Sequence, residues 1–176
     1  MKYKEVFEEY AELLHKNVEL RSQLREIPKG YLVSKRISGK DYTYHQYTAL
    51  GKKKSDYIPH DKVPALRTLL AQREPLATLL EDNRKELHRL ESAAKILDPQ
   101  LSRTFFFLKQ ASDMDVLPLS KRGTALRFAG AIGALEGLPS QEETQHTLEA
   151  WAKGQLSFAS IYMKALYHYG ITEVVV

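Results

Sequence analysis

A mainly helical α+β fold is predicted by three features of the chain. Two rows of apolar residues repeat in alternating steps of three and four, one near the start and one past the middle. The stretch between them switches to a period of two and is rich in aromatic and β-branched residues. After Asp98-Pro99 the pattern is helical again, with capping residues and glycines at intervals. The expected layout is an antiparallel coiled-coil stalk (1-27 and 75-98) carrying a basic three-stranded sheet and a helix (28-74). A helical C-terminal domain (99-176) follows.

The first row is Tyr3, Val6, Tyr10, Leu13, Asn17, Leu20 and Leu24, on a helix ending at Ile27-Pro28 and Gly30. The second is Leu76, Leu80, Asn83, Leu87, Leu90, Ala94 and Leu97. Run antiparallel, Leu24 faces Leu76, Leu20 faces Leu80, Asn17 faces Asn83 and Leu13 faces Leu87. Tyr10 then faces Leu90, Val6 faces Ala94 and Tyr3 faces Leu97, every pair of numbers summing to 100. The step order brings each a position to a d position, as antiparallel packing requires. Asn17 and Asn83 are expected to satisfy one another's amides and hold the register. The alternative is that both face solvent.

Tyr31 to Ile37 reads as a strand, Ser38-Gly39-Lys40 as a tight turn and Tyr42 to Thr48 as a second strand. Gly51 marks another turn before a third strand, Lys53 to Ile58. Asp61 suits an N-cap, with Pro64 in the first turn of a helix whose Val63, Leu66, Leu69 and Leu70 are expected to cover one sheet face. Pro75 should kink or interrupt that helix.

Past Pro99, Leu101, Phe105, Phe106, Phe107 and Leu108 define an apolar helix, and Asp113 to Leu119 reads as a turn-rich link. Ser120 is expected to cap a helix carrying Ala125, Leu126, Phe128, Ala129, Ile132 and Leu135, closed by Gly137-Leu-Pro139. Ser140 and Glu143 form a capping box for a helix through Leu148 and Trp151, ended by Gly154. Ser157 begins a last helix that stops at Gly170. The β-prone tail 171-176 suits pairing with a sheet edge or disorder.

Composition narrows the function. A chain of 176 residues with 43% hydrophobic content can form a real core and should not be globally disordered. No apolar run approaches the length of a membrane span, so no membrane partner is expected. The mixed-charge start, with Lys2, Lys4, Glu5, Glu8 and Glu9, is unlike a secretory signal. With no cysteine there is no thiolate chemistry, and a cytoplasmic location fits. The histidines His15, His45, His60, His88, His146 and His168 are scattered, and Glu142 with His146 reads as a surface pair. No phosphate-binding loop, dinucleotide-binding glycine pattern or nucleophile elbow is present. A non-enzymatic binding protein without metal or cofactor is therefore expected.

The net charge is +4, yet Lys29 to Lys54 holds seven cations against Asp41 alone, so this window is +6 and the remainder −2. A local basic patch suits one polyanion site. The stretch Pro28-Lys-Gly-Tyr31, Ser34-Lys-Arg-Ile37, Gly39 to Tyr44 and Gly51-Lys-Lys-Lys-Ser-Asp-Tyr-Ile58 resembles the arm-binding N-terminal domains of tyrosine integrases. The resemblance implies a sheet face laid in a DNA groove. Lys35, Lys40, Lys52, Lys53 and Lys54 would contact phosphates, and Arg36, Tyr44 and Gln46 would contact bases or sugars. The alternative is a solvated basic hairpin with its tyrosines as sheet core.

The segments Phe128 to Leu138, Pro139-Ser140, Leu148 to Ser157 and Tyr169-Gly170 resemble the VbhA-type antitoxins, three-helix inhibitors of Fic-family AMP-transferases. That family's inhibitory helix carries Ser or Thr, three variable residues, then Glu followed by Gly or Asn. Glu136-Gly137 match, whereas Ile132 stands at the Ser/Thr position. The resemblance implies that Glu136 pairs with the toxin arginine that holds the ATP γ-phosphate, a bidentate contact carboxylates make well. Read from the residues alone, Glu136 is a helix-end acid before a C-cap glycine.

The leading expectation is an antitoxin-like regulator, binding nucleic acid through the sheet and a Fic-type toxin or other protein through the C-terminal helices. One alternative is a DNA-binding accessory protein or regulator of a mobile element. Another is a protein-interaction scaffold without nucleic-acid binding. The oligomeric state is left open.

Overall fold

The computed structural model describes residues 3–135 and 142–170. Among them the fold is mainly helical α+β. The helices are α1 (Lys4–Glu26), α2 (Val63–Leu97), α3 (Pro99–Asp115), α4 (Leu119–Leu135), α5 (Glu142–Ala152) and α6 (Phe158–His168). The strands β1 (Tyr31–Ile37), β2 (Lys40–Ala49) and β3 (Lys52–Ile58) lie between α1 and α2. The chain divides into two compact units, Met1–Glu19 with Asn83–Val176, and Leu20–Asp82. These boundaries differ from the expected 1-27/75-98, 28-74 and 99-176. The C-terminal helices do not form a separate body: α3 and α6 share one core with the start of α1 and the end of α2.

That core joins Phe7, Tyr10, Leu14, Leu87, Leu90, Ala94, Leu101, Phe105, Leu108, Met163 and Leu166. The expected antiparallel facing is present in that Tyr10, Leu87, Leu90 and Ala94 share one buried cluster, and in that the Tyr3 hydroxyl donates to the Leu97 carbonyl at 3.3 Å. The buried stripe of α1 is broader than a two-helix seam. Phe7 and Leu14 are buried, while Val6 and Leu13 are only half-buried. The reason is that α3 and α6 cover a second flank of α1. Tyr10 stacks on Phe105 at 3.8 Å between ring centroids, 4° from parallel.

The asparagines depart from expectation as well. Both Asn17 and Asn83 are buried. Asn83 Nδ2 donates to the Leu13 carbonyl at 2.8 Å, and no hydrogen bond joins it to Asn17.

Helix ends in this unit are closed by side-chain caps and by a glycine turn. Asp98 caps α3 by accepting from Gln100 N at 2.8 Å, with Pro99 as the first helical residue. The helix continues through Asp115, so Asp113 to Asp115 are not a link. Ser120 lies inside α4 rather than capping it. Gly154, at φ 76°, ends α5 in a Schellman arrangement: its N–H donates to the Trp151 carbonyl, and Gln155 N donates to the Ala150 carbonyl. Ser157 caps α6 through Ser160 N at 3.1 Å.

The buried Arg122 gathers the carbonyls of Leu117 (3.0 Å), Trp151 (3.1 Å) and Asp115 (2.7 Å). It thus places a cation against the C-terminal ends of α3 and α5, where the helix dipoles favour one. The Asp115 carboxylate does the converse. It accepts from Phe158 N (2.7 Å) and Ala159 N (3.1 Å) at the start of α6, and from the Trp151 indole (3.1 Å).

In the other unit Leu20, Leu24 and Leu80 cluster with Leu76, as the facing rows require. Arg73 Nη1 donates to the carbonyls of Leu24 (2.7 Å) and Ile27 (2.8 Å), closing the end of α1. α2 passes through Pro75 without interruption. The missing N–H removes one ladder bond, which does not end a helix whose Arg73 and Leu76 are both partly buried. Asp61 sits in a single 3₁₀ turn, His60–Lys62, before α2 and caps nothing.

The sheet order is β1-β2-β3, antiparallel throughout. Both connections are two-residue turns with positive φ at each residue: Ser38 (51°) and Gly39 (80°), then Leu50 (51°) and Gly51 (73°). Such turns follow the right-handed twist of the strands. They lengthen β2 and β3 beyond expectation, so that Lys40 and Lys52 are strand residues rather than turn residues. No residue of the sheet is fully buried on either face. Of the residues expected to cover it, Val63, Leu66 and Leu70 are half-buried and Leu69 is exposed.

Candidate functional site

The register decides which sheet side chains act together. Residues directly opposite share a face, and successive residues alternate. Val33, Tyr44 and Tyr57 are opposite one another, as are Tyr31, Gln46 and Ser55. One face therefore carries Tyr31, Lys35, Lys40, Tyr42, Tyr44, Gln46, Lys53 and Tyr57. The other carries Arg36, His45, Tyr47, Lys52, Lys54 and Asp56. The eight expected site residues are split accordingly. Lys35, Lys40, Tyr44, Gln46 and Lys53 stand together, and Arg36, Lys52 and Lys54 stand behind them. A single docked groove cannot be read by Arg36 together with Tyr44 and Gln46.

The first face is aromatic and cationic. The Tyr57 ring meets Tyr42 at 6.0 Å, tilted by 60°, and Tyr44 at 5.9 Å, edge-on. Lys35 Nζ lies 5.1 Å from the Tyr44 ring centroid. On the other face the Tyr47 hydroxyl donates to Asp56 at 2.8 Å. This bond holds its phenol above the usual range, with desolvation and the Asp56 charge adding to the effect. His45 Nε2 donates to the Lys29 carbonyl at 2.8 Å, tying the chain before β1 to the sheet.

At one end of the sheet a groove of about 370 Å³ is lined by Lys29, Tyr31, Gln46, Thr48, Lys53 and Lys54, among others. Gly30 makes the groove wall. At φ 112° it crosses β2 so closely that a Cβ would fall on the Gln46 carbonyl and lie 2.9 Å from Tyr47 Cβ. Arg36, Lys40, Lys52, Lys53 and Lys54 form no ion pair with any described residue. Arg36 and Asp41 are paired in register but not bonded. The positive charge of these side chains is thus not neutralised by an ion pair among the described residues.

In the C-terminal half, Phe128, Ile132 and Leu135 follow one another along a single stripe of α4 and are 69%, 41% and 89% exposed. Arg122 is the only buried residue of α4. Glu136 and Gly137, which the resemblance pairs with Ile132, lie outside the described residues, as do Ser140 and the tail 171-176.

The groupings of Tyr31, Tyr42 and Tyr57 with Gln46, and of Lys29 with Lys53, were not drawn from the sequence. The signal was available: a two-residue turn at Ser38-Gly39 sets the pairing, and parity then assigns every face. Arg73, Asp115 and Arg122 had no comparable signal, because their partners are distant carbonyls and amides.

No cluster of potential metal ligands occurs among the described residues. No helix among them is long and apolar enough to cross a membrane. Residues 3–68 match the family model of a domain of unknown function (DUF6788). That span takes in α1, the whole sheet and the first turns of α2. No curated protein and no solved structure matches the chain.

Proposed function

We propose that the chain is an antitoxin-like regulator, not an enzyme, binding nucleic acid through the basic sheet and a protein partner through α4. The observation that carries the first half is the set of sheet cations without acidic partners on a sheet with no buried face. Polyanion phosphates would release counterions on meeting Lys35, Lys40, Lys52, Lys53 and Lys54, giving salt-dependent affinity. The partner half is supported by the exposed Phe128, Ile132 and Leu135, which lie in the segment resembling the VbhA-type antitoxins. A Fic-type toxin is the partner that resemblance indicates.

The test has two arms. Lys52→Glu, Lys53→Glu and Lys54→Glu together should abolish retention of DNA at low salt; unchanged retention rejects the nucleic-acid half. Ile132→Asp should abolish co-purification with a Fic-type protein encoded beside it and restore AMP transfer. Inhibition unaffected by Ile132→Asp rejects the partner half. DNA retention with no protein partner would favour a DNA-binding accessory protein of a mobile element.

A further inference from the structure

We infer that the face bearing Tyr31, Tyr44 and Tyr57 takes unpaired nucleic acid, with bases stacked on tyrosine rings, rather than an intact duplex groove. The inference rests on the nucleic-acid reading above and names the form of ligand. Tyr31 and Tyr57 are 60% and 53% exposed, although large aromatic rings on a sheet usually bury themselves. They do not lie under a helix or against each other. Tyr31 is opposite Gln46 on one side of β2, and Tyr57 is opposite Tyr44 on its other side, two residues further along. Two strand spacings and two residues of rise put them roughly 12 Å apart, two separate stacking positions rather than one.

Gln46 lies on the central strand between these positions and offers a side-chain amide that can bond a base edge in two places. Lys35 and Lys53 flank the same path, and the groove walled by Gly30 adds Lys29 at its end. A duplex would present base edges and hide base faces. Reading edges requires several paired donors and acceptors, and on this face Gln46 is the one amide. The guanidinium of Arg36, suited to guanine, is on the reverse face. Stacking needs only a ring and an unstacked base, and this face supplies rings alternating with cations.

The experiment is fluorescence anisotropy of the full chain with one short labelled oligonucleotide. It is offered as single-stranded DNA, as single-stranded RNA of the same sequence and as the DNA duplex. The better single strand should bind at least ten-fold tighter than the duplex. Tyr57→Leu with Tyr31→Ala should weaken that strand by roughly ten-fold or more per ring. Tyr57→Phe with Tyr31→Phe, which keeps both rings, should retain it, and unchanged thermal melting of each variant shows the sheet intact. Duplex binding equal to or tighter than both single strands overturns this inference while leaving the nucleic-acid reading standing. Binding of no oligonucleotide overturns both. Single-strand binding indifferent to loss of both rings overturns the stacking role.

Discussion

Asn83 reaches across to α1 and donates its amide to the Leu13 carbonyl at 2.8 Å, four residues before Asn17, the residue that faces it by heptad count. A helix carbonyl that already accepts one ladder bond has a second lone pair free. Asn83 is thereby satisfied without help from Asn17.

The consequence is an asymmetry between two buried amides that look equivalent in the sequence. Asn17→Leu should be neutral or raise the melting temperature, because no bond to Asn83 is lost and apolar area is gained. Asn83→Ala should lower stability by about 1–2 kcal/mol through the lost bond and the space left. Equal destabilisation by the two in denaturant unfolding would show that the amides depend on one another.

Gly30 is required twice over, by φ 112° and by its approach to the Gln46 carbonyl. Gly30→Ala should cost roughly 1–3 kcal/mol from backbone strain alone, with the clash added. The unit Leu20–Asp82 would be affected first. Hydrogen exchange at Tyr31 and Gln46 should accelerate, while amides of α3 and α6 stay protected.

Leu50 is a fully exposed residue at φ 51°, a conformation that suits asparagine or glycine. Leu50→Asn should stabilise the hairpin by about 0.5–1 kcal/mol. A drop in melting temperature would mean that this leucine has a contact of its own.

Arg122 closes the ends of α3 and α5 with a planar fork that lysine cannot reproduce. Arg122→Lys should cost about 1–3 kcal/mol by leaving the buried Trp151 carbonyl and the part-buried carbonyls of Leu117 and Asp115 short of donors. Trp151 is the chain's only tryptophan and is buried. Its emission should shift to the red in Arg122→Lys under native conditions, and an unshifted spectrum would count against the role.

Burial holds the Tyr10 phenol well above its ordinary value of 10.0, and the Glu91 carboxylate beside it pushes the same way, as does Asp113. The folded pKa is raised, so the contribution to stability is complete below about pH 10 and is lost as pH rises above it, where the unfolded chain releases the proton first. Stability should fall through this alkaline range with a slope of about one proton. Tyr10→Phe should remove that slope while keeping the stack on Phe105. An unchanged slope would assign the alkaline loss to other groups.

Much of the fold could be read in advance because its causes are local. The steps of three and four marked both long helices, Ser38-Gly39 and Gly51 marked the turns, Asp98-Pro99 marked the end of α2, and Ser157 marked a helix start. The rows containing Leu24 with Leu76 and Tyr10 with Leu90 met as complementary patterns should. The candidate site was half legible. The cations stood out as a cluster, but their division between two faces depends on register, which a cluster of charges does not reveal.

The arrangement of backbone periods and turns is thus a property of the chain's own order, since each such signal acts over a few residues. Tertiary structure alone decided that Phe7 and Leu14 are core, because α3 and α6 arrive from distant sequence to cover them. It also decided that Asn83 bonds a backbone carbonyl, that Pro75 leaves α2 unbroken, and that Arg122 and Asp115 close helix ends. In each case the partner is a backbone group or an apolar surface, which every sequence offers and none advertises.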